Sequence, residues 1–65
     1  MRIRKFIRAE SNHGSKYFID IYKAFKYFNR CIAERRGVEL WSVVITEHQG
    51  NTVGEQRLLK FAFFD

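Results

Sequence analysis

The side chains able to do covalent or acid–base chemistry are few and widely spaced. There is one thiol, Cys31, and there are two imidazoles, His13 and His48. A single cysteine allows no internal disulfide, and one cysteine with two histidines fits no zinc-ligand spacing. A nucleophilic thiol needs an exposed, electropositive niche with a histidine. Cys31 instead falls in the middle of an apolar helical stripe, where a small, buried, inert core residue is expected. His13 and His48 lie in turn-like stretches as solvated side chains. Asp20 and Glu39 are single carboxylates on strand-like segments, whereas acid–base work needs a spatial pair; Asp20 reads as a cap or an outward strand residue. The glycines at 37, 50 and 54 match neither the G-x-x-x-x-G-K-[ST] nor the G-x-G-x-x-G phosphate loop. No enzymatic signature emerges, and no cofactor or metal is expected.

Cations are the remaining chemistry. Twelve Lys and Arg against seven Asp and Glu give a net charge of +5. That balance suits an anionic partner, although a small domain also carries such a charge for solubility alone. The grouping is informative. Arg2, Arg4, Lys5 and Arg8 sit on the first strand-like run, and Lys23, Lys26 and Arg30 share the outer side of a helical run that ends with Arg35 and Arg36. Either set is a solvated face or a phosphate-tracking stripe. Phe6 between Arg4 and Arg8, and Tyr22 beside Lys23, are placed to stack bases as single-strand binders do. No RNP-type motif accompanies them.

The elements that must position these groups follow from periodicity. "RIRKFIRAE" alternates, with Ile3, Lys5, Ile7 and Ala9 on one face and Arg2, Arg4, Phe6 and Arg8 on the other, which predicts a strand. "ESNHGS" is a turn cluster. "KYFIDIY" is aromatic and β-branched, which predicts a second strand forming a hairpin with the first. Near Lys23 the period changes. Ala24, Phe25, Tyr27, Phe28, Cys31 and Ile32 cover an arc of about 160° on a helix. This helix is expected within residues 21–36, with Gly37 as its C′ residue; a rival reading starts it at Ser15 but leaves Ile19 and Tyr22 on the polar side. "VELWSVVIT" is apolar on both faces, as in a central strand or a subunit contact. "EHQGNTVGEQ" reads as a loop, and "RLLKFAFF" as a fourth strand. The expected fold is α+β, a four-stranded antiparallel sheet with one helix packed on one face, in the order β-β-α-β-β and as a single domain over residues 1–65.

Such a chain exposes one sheet face. Seven phenylalanines, three tyrosines and one tryptophan in 65 residues supply large apolar groups for a core that size alone keeps marginal. Trp41, Phe61, Phe63 and Phe64 are the expected interface residues, and a homodimer in solution is one expected outcome. No apolar run is long enough for a membrane span or a signal peptide, so no membrane association is expected. The lone cysteine agrees with a reducing, cytoplasmic setting.

The segment "KFIRAESNHGSKYFIDIYKAFKYFNRCIAERRGVELWSVVITE", residues 5–47, resembles the small T7-type bacteriophage inhibitors of bacterial RNA polymerase. The likeness lies in "KF" and "ES" of the first strand and turn, in "FIDIYKA" running into the helix, and in the helix length before the next strand. It implies a protein that binds a host polymerase and blocks it, in the cytoplasm of the host cell. That family presents arginines on the strand after its helix, and "VELWSVVITE" has none, so no functional residue is carried over. Small size and the lack of a catalytic set also look like phage accessory proteins, by compositional analogy. The expected function is therefore a non-catalytic binding protein that inhibits or modulates a host macromolecule such as RNA polymerase. The alternatives are a nucleic-acid-binding module using Lys and Arg on phosphates, and a small homodimeric structural subunit.

Overall fold

A computed structural model describes residues 1–64. The elements are β1 (Arg2–Ser11), β2 (Gly14–Phe18), α1 (Ile21–Ala33), β3 (Val38–His48) and β4 (Asn51–Ala62). They form one antiparallel sheet in the order β2-β1-β3-β4, with the helix against one face. This is the α+β arrangement that the changes of period predict. β3, apolar on both sides, takes an interior place between β1 and β4.

The helix starts at Ile21, which rules out a continuous helix from Ser15. Asp20 decides the boundary: its Oδ1 accepts the Tyr22 backbone N–H at 2.9 Å, so it is the N-cap. β2 is consequently shorter than the alternation of "KYFIDIY" suggests, and Tyr22 lies on the helix. At the other end the C′ position is Arg35, not Gly37. Arg35 has φ +56°. Its N–H donates to the Ile32 carbonyl at 2.9 Å, and that of Arg36 to the Cys31 carbonyl at 2.8 Å. This pair of bonds is a Schellman motif closed by a non-glycine residue.

The larger difference is at 47–56. No loop exists there. β3 continues to His48, Gln49 and Gly50 turn with φ +50° and +79°, and β4 begins at Asn51. Two consecutive left-handed residues make the type I′ geometry whose twist matches the flanking strands. Gly54 sits inside β4 as an ordinary strand residue paired with Ile45.

The register fixes which side chains share a face. Ile7 and Ala9 of β1, and Val38 and Leu40 of β3, meet Ala24, Phe28 and Cys31 of α1 as the buried core, with Phe18, Phe25, Tyr27 and Ala62 around it. Ser11 Oγ lies 3.2 Å from the Tyr27 hydroxyl and ties the helix to the end of β1. A register shift at Leu40/Trp41 leaves Leu59 as an extra residue in β4. The bulge re-phases the strand, so that Leu58 and Phe61 both lie on the face away from the helix.

The helix covers only one end of the sheet. The first half of β1, the second half of β3 and most of β4 extend beyond it as a three-stranded arm. The molecule measures 45 × 21 × 17 Å with a radius of gyration of 13.4 Å, where a compact domain of this length has about 11 Å. Its accessible surface is 5142 Å², against about 4,400 Å² for a typical folded monomer of this mass. No helix among the described residues is long and apolar enough to cross a membrane.

Candidate binding surfaces

Two surfaces of different chemistry lie on opposite sides of the sheet. The first is the open face. One cross-strand row runs Tyr17, Arg8, Trp41, Leu58, and the next carries Phe6, Val43 and Gln56. Phe6 and Tyr17 meet edge to face at 5.7 Å between ring centroids. The Arg8 guanidinium lies 5.7 Å from the Trp41 ring centroid, a cation–π contact that half-buries both groups. Arg8 Nε is 3.0 Å from Glu10 Oε1, without the alignment of a directed hydrogen bond. Arg4 is paired with Glu47 at 3.7 Å. Val43 is buried although no helix covers this face; Phe6 is its cross-strand neighbour there and Trp41 the next residue on the same side of β3. Tyr17, Leu58 and Phe61 stay exposed.

The charge on this face is balanced. Its strand positions hold Arg2, Arg4 and Arg8 against Glu10, Glu39 and Glu47. Three of the cations expected to bind thus stand beside an equal number of carboxylates. Lys5 points to the opposite face of the arm, apart from them.

The second surface is a groove between β2 and α1, of about 460 Å³, lined by Lys16, Phe18, Lys23, Lys26, Tyr27 and Arg30. Among the described residues its lining has four cations and no carboxylate. Here the three helix cations expected to act together do come together. Lys16 joins them with its Nζ 4.9 Å from the Tyr27 ring centroid. Lys16, Phe18 and Tyr27 are groove residues that the grouping of helix cations did not include. The available signal was the alternation of β2, which puts Lys16 and Phe18 on the helix side. The rim is bounded by Arg30 with Glu34 at 4.0 Å, and Arg36 with Glu34 at 2.9 Å.

The four expected interface aromatics do not form one patch. Trp41 lies under Arg8 at mid-sheet. Phe61, paired with Glu39 near the end of β4, packs at 5.5 Å between ring centroids on Phe63, which follows the strand. Phe64 lies under the Arg35 guanidinium at 5.2 Å. Cys31 is fully buried. His13 and His48 are exposed at opposite ends of the sheet, and no group of three or more His, Cys, Asp or Glu among the described residues is placed to hold a metal ion.

Comparison with protein-family models, with curated proteins and with solved structures gave no match.

Proposed function

We propose that the chain is a non-catalytic binding protein of the phage accessory type, which attaches to a host protein through the open sheet face and modulates it. The resemblance described above makes bacterial RNA polymerase the first partner to test. The observation that carries the reading is the composition of the open face. Exposed aromatics sit among arginines already matched by glutamates. Such a mixed surface suits a protein partner, in which aromatics and arginines anchor and charges set register. A polyanion would be repelled by the carboxylates as much as drawn by the arginines.

Titration of the native protein with purified bacterial RNA polymerase, followed by Trp41 fluorescence, tests this. Y17A changes only the open face and is expected to weaken binding at least tenfold. K23E/K26E is expected to leave it unchanged. The reverse pattern would remove the open face as the binding site.

The groove supports a second reading, a nucleic-acid module. Lys16, Lys23, Lys26 and Arg30 converge without a carboxylate in the lining, beside two aromatic rings. Oligonucleotide binding through it should fall linearly with salt on logarithmic axes. K16E/K26E should abolish it, whereas a salt-insensitive affinity would exclude phosphate tracking.

A further inference from the structure

We infer that the outer edge of β4 pairs antiparallel with β4 of a second copy, about a two-fold axis at Gln56. The sheet has three free edges, and two are protected. β2 is short. The uncovered part of β1 is Arg2–Phe6, where self-pairing would oppose cation to cation. Short edges and cationic edges are the ordinary ways of preventing strand addition. β4 is long, and the cation of its central stretch, Arg57, is accompanied by a carboxylate, Glu55; Lys60 and the bulge at Leu59 lie beyond that stretch. It runs 12 residues without a proline, and every residue up to Phe61 is exposed.

The turn sets the phase of its backbone. A two-residue hairpin closes on a hydrogen-bonded pair, here His48 and Asn51. Alternation from that pair makes Thr52, Gly54, Gln56 and Leu58 the residues whose N–H and C=O point away from β3. Antiparallel self-pairing must match these outward residues with one another, so the two-fold axis passes through a residue position and not between two. Charge then selects the residue. An axis at Glu55 opposes two carboxylates, and one at Arg57 opposes two guanidinium groups. An axis at Gln56 places Glu55 opposite Arg57 of the second copy, twice, and uses the central part of the strand. Gly54 faces Leu58 in the same register, giving roughly six backbone hydrogen bonds between copies. Among the described residues, neither Glu55 nor Arg57 takes part in an ion pair within the monomer. The bulge at Leu59 falls outside this central run.

Sedimentation equilibrium at about tens of micromolar, where modest interfaces are populated, is expected to show a dimer. E55R and R57E, both at exposed positions, should each weaken it about tenfold, since cross-strand attraction becomes repulsion at two sites. The double swap E55R/R57E should restore it. Q56C should cross-link under mild oxidation, because opposed Cα atoms in such a pair lie about 5.5 Å apart, within disulfide reach. V53C, roughly 20 Å from its counterpart in this register, should not, and the buried Cys31 stays out of the reaction. A monomer across the concentration range, a species larger than a dimer, a double swap that fails to restore association, or equal cross-linking at positions 53 and 56 would each overturn the inference.

Discussion

Replacing Phe28 with Ala should remove most of the stability of this protein. Phe28 is 3% exposed and lies at the centre of the helix–sheet contact. The core around it is small, with Leu40, Val38 and Cys31 as the largest fully buried side chains. A domain of this length has about 3–10 kcal/mol of stability in total. Phe→Ala in a core costs about 3–5 kcal/mol, through lost transfer energy and the cavity left behind. Part of the loss here is specific: Lys60 Nζ lies 5.0 Å from the Phe28 ring centroid and 5.4 Å from that of Phe25, a cation–π pairing of about 0.5–1 kcal/mol at an exposed site. With a urea slope of about 1 kcal/mol/M, the midpoint should fall by about 3 M or the variant should be unfolded in buffer. F28L, which keeps most of the volume, should cost about 1–2 kcal/mol and still unfold cooperatively. Urea titration followed by far-UV circular dichroism and Trp41 fluorescence measures both. A shift below about 1 M for F28A would show that the helix–sheet contact does not hold the protein together.

Three further outcomes test particular contacts. R35G should raise the melting temperature by about 2–6 °C, because glycine relieves the left-handed strain at C′ at the cost of the exposed contact with Phe64; a lower melting temperature would refute the strain argument. D20A should lose the N-cap and about 1 kcal/mol, seen as a melting temperature lower by about 4–8 °C. Cys31 should react with a thiol reagent only as fast as the protein opens, so the rate should rise steeply with urea; rapid labelling of the native protein would place the thiol at the surface.

The legible part of the fold is the part with a core beneath it. Ile7 with Ala9, and Phe28 with Cys31, show their periods because the helix buries one side of each element. "NTVGEQR" shows none, because β4 is an edge with no covered face along the arm, and nothing there selects apolar residues at alternate positions. Gly50, just before that stretch, and Gly54, inside it, then read as breaks, although only Gly50 belongs to a turn. Gly37 read as the C′ residue on composition, while the chain places Arg35 there and ends the helix sooner. The charge balance of the open face depended on register. Arg4 meets Glu47, 43 positions away in the chain, only because the tight turn at Gln49–Gly50 extends β3 far enough to reach it. The groove joins β2 to α1 through Lys16, which no spacing along the helix would have indicated.

The arm links the two proposals. Three strands extend past the helix, uncovered by any other element on both faces and free at both edges, and a sheet with so little cover gains by adding strands or by meeting a surface. A two-fold axis at Gln56 stands perpendicular to the sheet. Both helices then lie on the same side, and both open faces on the other. Edge pairing would therefore leave Tyr17, Trp41 and Leu58 free and double the width of the face they share. A partner with two equivalent sites within that width would bind the dimer more tightly than either half, by effective concentration alone and with no new contact. E55R would then weaken that binding without altering any residue that touches the partner. Y17A would weaken it without changing the dimer. If both variants acted on both properties, the edge and the open face would be one surface, and the balanced charge of that face would have to be explained by self-association.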